Sequence, residues 1–369
     1  MNKNICSKPR IVLIGPTLNI VSGVSTHLKQ LFDSELAEIY DLRHFEVGSE
    51  GKTETLRQKL LRFFKSPIQL AAAIIREKPA IVHINTSLDA KAFWRDVIYL
   101  LIARALRRKI LYQVHGGALD KFCGDSKLFA AFLKMIFRIP DSMVVLASSE
   151  MTVYKGFTRF KDLRMIPNAI DLADFASDHS ISSNSSEYRL VYVGRLALDK
   201  GIYDAVEAIK MVLGSDTSIR LQFLIAGTGP IEQELRGKVQ ELDLGDIVRF
   251  VGPIFGMKKI EFWKDADLFV FPTFHKEGLP YSILESLASG TPIVATRMGG
   301  IVDAMTDGEE GVFVEAHDPS GVADVIRFLL GNRGLLKQMS DKCVNRAQKF
   351  YGLDRMVSQF RQLYRELDI

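Results

Sequence analysis

Short apolar runs alternate with longer amphipathic stretches along almost the whole chain, and that alternation limits the possible folds more than any other feature. In the first half the runs cover residues 10–14, 40–45, 80–84, 109–114, 142–147 and 162–166, all rich in Ile, Val, Leu or aromatics. Continuous apolar runs of this length suit strands buried on both faces of a parallel sheet. The stretches between them, such as 54–78 and 91–107, suit the crossover helices that such a sheet requires. The segment 176–187 (A-S-D-H-S-I-S-S-N-S-S-E) breaks the pattern with polar, Ser-rich sequence and predicts an exposed, mobile link. The alternation then resumes at 189–193, 221–225, 248–251, 268–271, 292–295 and 312–314. The expected fold class is therefore α/β, with two Rossmann-like doubly wound parallel sheets facing a central cleft, where ligands bind beyond the strand carboxyl ends. The length of 369 residues suits two domains of roughly 150–200 residues. No repeat with a period of roughly 20–50 residues is present, which excludes a solenoid.

Several classes drop out on composition. The chain's first 18 residues hold only the apolar run Ile11-Val12-Leu13-Ile14, too short for a signal-peptide core and better read as a strand. No run approaches the roughly eighteen apolar residues of a membrane span. Three widely spaced cysteines, Cys6, Cys123 and Cys343, offer neither a disulfide framework nor a zinc site, and the expectation is a cytoplasmic protein. The net charge of +4 conceals an asymmetry: residues 1–170 hold 26 Lys+Arg against 15 Asp+Glu, and residues 171–369 hold 22 against 29. A first half at +11 suggests attraction to an anionic ligand or surface. No helix-turn-helix, zinc-finger or aromatic RNP pattern accompanies it, so nucleic acid is not expected. The basic piece 104–109 reads either as a solvated helix end or as part of such an anion-attracting surface.

The residues that could carry chemistry gather at strand-to-helix turns of the second half. After the strand ending at Val193, Arg195 and Lys200 flank a turn that opens a helix near Gly201. Both cations could reach one diphosphate at that helix start, although an exposed Arg/Lys turn can also be purely structural. After residues 221–225, Gly227 and Gly229 would bring backbone close to a ligand, but Glu232 stands where the dinucleotide fingerprint needs a third glycine, and no P-loop sequence occurs. After residues 268–271 comes the densest cluster, P-T-F-H-K-E-G-L-P-Y-S-I-L-E. It sets Glu277 in a loop, Gly278 and Leu279 beside it, Pro280 in a helix's first turn and Glu285 farther along that helix. In the first half, His115 follows the apolar run 109–114 and precedes two glycines, a position open to a turn residue or to a catalyst.

R-x4-K-G, G-x-G-P and E-G-x-P with a second Glu eight positions after the first, in that order, resemble the retaining GT-B glycosyltransferases of family 4 (glycosyl transferases group 1). P-N-A-I-D at 167–171 is similar to the family's P-N-G-V-D, with Ala in place of Gly. The resemblance implies an acceptor-side domain at 1–170, a linker at 171–188 and a nucleotide-sugar domain at 189–369, with the final helix packing back on the first domain. It further implies that Arg195 and Lys200 hold the donor diphosphate and stabilise the departing charge. Glu277 would lie beside the donor sugar, Glu285 would accept from the ribose hydroxyls, and Gly278, Leu279 and Pro280 would offer amides to sugar and phosphates. The loop around Ile254 would cradle the base, His115 would touch the sugar near its reacting carbon, and Gly23 would approach the phosphates, with Ser22 departing from the family's Gly-Gly.

The implied activity is transfer of a hexose-type sugar from a UDP- or GDP-linked donor to a glycan or lipid-linked saccharide in surface polysaccharide synthesis, with retention and no cofactor. Asp265-Ala266-Asp267 spells D-x-D but precedes an apolar strand, whereas a metal clamp should follow one, so no metal is expected. The acceptor should meet the basic first domain, near 85–87 and the segment after His115. The stretch 127–138 reads either as a core helix with a solvated edge or as a helix lying on an anionic membrane, which would place the protein at the inner face of the cell membrane. Two other readings remain, a nucleotide-sugar epimerase on the same fold and a non-catalytic nucleotide-sugar-binding partner.

Overall fold

The computed structural model describes residues 8–20, 22–48, 54–175, 187–215 and 219–368. The Ser-rich segment 176–187 lies outside these residues except for its last position. The chain divides into two compact units, one formed by residues up to Asn168 together with Leu353 onward, the other by Ala169–Gly352.

In the first unit a six-stranded parallel sheet has the order β2-β1-β3-β4-β5-β6. Its strands are β1 (Arg10–Gly15), β2 (Asp41–Glu46), β3 (Ile81–Thr86), β4 (Lys109–Val114), β5 (Ser142–Val145) and β6 (Leu163–Met165). The crossover helices are α1 (Gly23–Phe32), α2 (Leu36–Ile39), α3 (Leu56–Glu77), α4 (Ala90–Ala105), α5 (Leu119–Cys123), α6 (Lys127–Ile136) and α7 (Ser148–Phe157). Every residue of β3 is buried, as expected of a central strand covered on both faces. In the basic piece 104–109, Arg104 bonds the Ile139 carbonyl and Asp141 and Arg108 bonds the Pro79 carbonyl, while Arg107 and Lys109 are exposed.

The second unit repeats the architecture with the order β12-β11-β10-β7-β8-β9. Its strands are β7 (Tyr188–Val193), β8 (Leu221–Ala226), β9 (Val248–Gly252), β10 (Leu268–Phe271), β11 (Ile293–Thr296) and β12 (Gly311–Val314). Around them lie α8 (Ile202–Ser215), α9 (Glu232–Glu241), α10 (Met257–Lys264), α11 (Tyr281–Ser289), α12 (Ile301–Ala304), α13 (Pro319–Leu330) and α14 (Arg333–Phe350). The strand order reverses between β7 and β10, whose crossovers leave to opposite sides, and the crevice at such a switch point is where open sheets of this kind take ligands.

The last helix, α15 (Leu353–Asp368), belongs to the first unit. Met356, Val357, Phe360, Leu363, Tyr364 and Leu367 are buried along it at helical spacing, the stripe a helix needs to dock on a sheet. Phe360 packs on the ring of His83 in β3, and the Tyr364 hydroxyl sits 2.9 Å from His83 Nδ1. Removing the Phe360 ring should leave a cavity that lowers the first unit's stability by about 3–5 kcal/mol. Hydrogen exchange of Phe360→Ala should therefore accelerate in β1, β3 and β4 and stay unchanged in β7 and β8. Equal acceleration in both units would contradict the assignment of α15 to the first.

Candidate active site

The turn after β7 carries Arg195, which is exposed, and ends in a short 3-10 turn (Leu198–Lys200) before α8. Gly201 adopts φ +68° there, and an added Cβ would lie 1.9 Å from the Pro272 carbonyl oxygen, so only glycine lets this turn meet the end of β10. The neighbouring loop is held as closely, since a Cβ on Gly227 would lie 1.9 Å from the Gly194 oxygen. The amide of Leu196 also donates to the Thr228 carbonyl at 3.0 Å.

The loop between β10 and α11 is tied to the same turn by three bonds to one atom and by two side-chain pairs. The Asp199 carbonyl oxygen accepts from the amides of Phe274 and His275 at 3.1 and 2.9 Å and from the Thr273 hydroxyl at 3.2 Å. His275 Nδ1 stands 2.7 Å from the Asp199 carboxylate. Lys200 forms an ion pair with Glu277, and both side chains are largely buried. Glu277 is seated by the following loop: the amide of Gly300 donates to its carbonyl at 3.1 Å. These contacts enclose a pocket of about 260 Å³ lined by Arg195, Asp199, Lys200, His275, Glu277 and Ser282 among others, at the end of β7 and β10.

Of the residues expected from sequence to form the site, Arg195, Lys200, Glu277 and Pro280 line this pocket together. Pro280 caps α11 and does not occupy its first turn, because the helix begins at Tyr281. Glu285 lies deeper: its carboxylate is buried, accepts from Trp263 Nε1 at 3.0 Å and pairs with Lys259. Burial raises its pKa, against the pull of Lys259. Gly278 and Leu279 are buried in the loop, and Gly227, Gly229 and half-buried Ile254 sit on the adjoining turns, all outside the pocket lining. Lys200 was expected to be exposed; its pairing with Glu277 is what draws it in.

Gly23 and His115 belong to the first unit. Gly23 opens α1 behind the N-cap Ser22, whose hydroxyl accepts from the Ser25 amide. His115 Nε2 lies 2.8 Å from Asn85 Oδ1, and Asn85 donates its own amide to the Ile14 carbonyl at 3.2 Å. With Asn85 so oriented, Nε2 of His115 carries the hydrogen, and Nδ1 is buried with no partner among the described residues. The rings of His27 and His115 meet at 4.8 Å. Burial holds His27 and His83 down to about 3, opposed by Gln113, and burial beside these two keeps His115 well below its ordinary value. All three are neutral near pH 7.

Sequence reasoning missed Asp199, His275 and Ser282 as pocket-lining residues, and the histidine group around His115. Asp199 lies inside the R-x4-K bracket, and His83 stands in a run otherwise apolar (A-I-V-H-I); both were available signals.

Asp265 and Asp267 both serve Arg189, Asp265 through an ion pair at 2.5 Å and Asp267 by accepting from the Arg189 amide at 2.7 Å. Among the described residues no three His, Cys, Asp or Glu side chains converge as metal ligands would.

Residues 187–332 match the model of the family described as glycosyl transferases group 1. The match covers most of the second unit, which there resembles a glycosyl transferases group 1 domain. Over 241 residues the chain is 31% identical to an exopolysaccharide phosphotransferase of Streptomyces coelicolor, a match covering 63% of this chain and 24% of that one. It is 23% identical over 367 residues to the capsular polysaccharide biosynthesis glycosyltransferase CapM of Staphylococcus aureus, covering 94% and 89%. The chain thus spans about a quarter of the first of these relatives and about half of another curated one. Anabaena HepE, solved with UDP-glucose, superposes with a TM-score of 0.76 at 14% identity over 97% of this chain and 99% of its own. The two parallel six-stranded sheets are those of the GT-B fold.

The three neutral histidines make the first unit acid-sensitive. Their folded pKa values lie below the unfolded value of about 6.5, so the unfolded chain binds more protons as pH falls from there towards about 3, and stability falls with it. His27 and His83 each contribute about 1.4 kcal/mol per pH unit in that window, and His115 acts in the same direction. Hydrogen exchange of β3 and β4, corrected for intrinsic rates, should show this loss between pH 7 and 5. A flat profile would mean that the cluster is already protonated in the fold.

Proposed function

We propose that the protein is a retaining glycosyltransferase. In this reading it moves a hexose-type sugar from a UDP- or GDP-linked donor to a glycan or lipid-linked saccharide in surface polysaccharide synthesis. It works without a metal or other cofactor, at the cytoplasmic face of the cell membrane. The observation that carries this reading is the pairing of Arg195 and Lys200 around one pocket at the β7–β10 switch point, where α8 starts. The similarity to CapM and the UDP-glucose held by HepE support the substrate class.

Transfer breaks the bond between the sugar's anomeric carbon and a diphosphate oxygen, leaving the electron pair and negative charge on that oxygen. Arg195, Lys200 and the N-terminal amides of α8 are oriented before that charge forms, which is where electrostatic catalysis has its largest effect. Glu277 holds the Lys200 ammonium in place, and Lys200 keeps two further hydrogens for the phosphates. The acceptor hydroxyl bonds to the anomeric carbon and gives its proton to the leaving phosphate oxygen. His115 is neutral, so it supplies no cation to this step.

Incubation with a panel of nucleotide sugars, with and without a cell-membrane extract, tests the reading. Acceptor-dependent transfer supports it, acceptor-free conversion of the sugar points to an epimerase, and no turnover points to a binding partner. Arg195→Ala and Lys200→Ala should each lower turnover by about 10²–10³, and near-normal activity in both would remove the site assignment. Chelation by EDTA should leave transfer intact and Asp265→Asn should match the parent protein. Loss in chelator that manganese or magnesium restores would overturn the metal-free reading.

A further inference from the structure

α3 buries only Ser66, Leu70 and Ile74, far less than the amphipathic crossover helix expected from its sequence. Elsewhere on the same helix Leu60, Leu61, Phe64, Ile68 and Ile75 are 52, 56, 68, 71 and 59% exposed, while Leu56 and Phe63, on the side of the buried stripe, are 73 and 43% exposed near the helix start. At about 100° per residue the first five fall within an arc of roughly 100°, separate from the buried stripe. α3 therefore has two apolar faces, one docked on its own unit and one left exposed among the described residues. Single exposed apolar side chains are ordinary, but a contiguous stripe of this kind marks a surface that meets something else.

The charges beside the stripe indicate what that is. From Leu56 to Arg76 the helix carries Arg57, Lys59, Arg62, Lys65 and Arg76 and no acidic residue. Arg62 pairs with Glu54 and Arg76 with Glu77, while Arg57, Lys59 and Lys65 have no acidic partner among the described residues. Lys65 and Arg76 border the apolar arc on one side, and Arg57 lies within it on a stem long enough to reach outward. A reciprocal contact between two copies of the chain would set these basic borders against each other, which like charges oppose. An anionic bilayer satisfies both features, taking the apolar stripe among its acyl chains and the cations at its headgroups. The helix is held to this shape by a capping box, with the Thr55 amide donating to Gln58 Oε1 at 2.8 Å and the Thr55 hydroxyl accepting from the Gln58 amide.

On its docked side α3 is tied to its neighbours. The Tyr99 hydroxyl of α4 donates to Ser66 in α3 at 2.8 Å, and Trp94 of α4 stacks on Phe132 of α6 at 5.5 Å. α3, α4 and α6 thus form one layer of the first unit. On α6, the helix proposed from sequence as the membrane contact, only Leu128 and Met135 are exposed large apolar residues. We propose that α3 is the main membrane-docking surface of the protein, binding anionic phospholipid through Leu60, Leu61, Phe64 and Ile68 with Arg57 and Lys65 at the headgroups.

This deepens the lipid-linked acceptor reading, and its test is independent of catalysis. The full chain is mixed, without nucleotide sugar, with vesicles of phosphatidylglycerol and phosphatidylcholine or of phosphatidylcholine alone, and floated on a density gradient. It should float with the anionic vesicles, less so as salt rises. Leu60→Glu/Phe64→Glu and Arg57→Glu/Lys65→Glu should each weaken binding by about tenfold or more. All four side chains are exposed, so melting curves should match the parent protein. On the unaltered protein, α3 amides should exchange more slowly with anionic vesicles present, a readout that needs no variant. Equal flotation of parent and variants, or no slowing in α3, overturns the proposal. A dimer in solution that Leu60→Glu/Phe64→Glu splits overturns it in favour of a second copy. Transfer to a soluble acceptor by a protein that ignores vesicles would leave the enzymatic reading standing and remove only this surface.

Discussion

One carbonyl oxygen, that of Asp199, joins the two halves of the candidate site. It takes two amide hydrogens and a hydroxyl from the loop after β10 while belonging to the turn after β7. Those strands pair directly where the strand order reverses, and beyond the end of their ladder the two turns bond each other. With that junction made, Lys200, the next residue, meets Glu277, and His275 meets the Asp199 carboxylate. Glycine is required at the same junction, because Gly201 and Gly227 let carbonyl oxygens approach where a methyl group would collide. The pocket is thus built from backbone proximity first and charge second, and preorganisation of the cations follows from it.

The strands were legible in the sequence because fully buried parallel strands leave no choice of residue. Apolar runs such as 80–84 and 268–271 reappear as central strands with every residue buried. The Arg195 and Lys200 turn was legible for a related reason, since its spacing and Gly201 dictate where the cations can go. Side-chain partners were not legible. Nothing in the spacing of Lys259, Trp263 and Glu285 says that they meet, because α10 and α11 come together only through tertiary packing. The histidine group was invisible for the same cause, with His27, His83 and His115 drawn from α1, β3 and the end of β4. The largest departure, α3, came from periodicity itself, because spacing reveals apolar faces without telling which of them has a partner.

The placement of charge separates two roles that composition alone would merge. The excess of basic residues lies in the first half, yet the cations proposed to hold a diphosphate, Arg195 and Lys200, lie in the acidic second half. Local geometry overrides net charge there. Two cations at a helix start, Lys200 held by Glu277, act on a ligand a few ångströms away, whereas diffuse charge is screened within about 8 Å at physiological salt. The excess in the first half is thus not needed for the proposed diphosphate contact.

Much of that excess is also internal to the first unit. Asp41 serves both Arg10 and Arg43, and Asp141 serves both Arg104 and Lys161, so single carboxylates hold pairs of cations against the sheet edges. Both carboxyls are held below their usual range, although burial opposes this, because hydrogen bonds favour the ionised form. These shared pairs explain how a unit with so few acids keeps its structural arginines satisfied. They do not extend to Arg57 and Lys65, which stand beside an exposed apolar stripe on α3. Cations placed next to uncovered leucine and phenylalanine add nothing to the packing of the unit that carries them. Their common position on one helix is accounted for by a surface outside the protein that is both apolar and anionic.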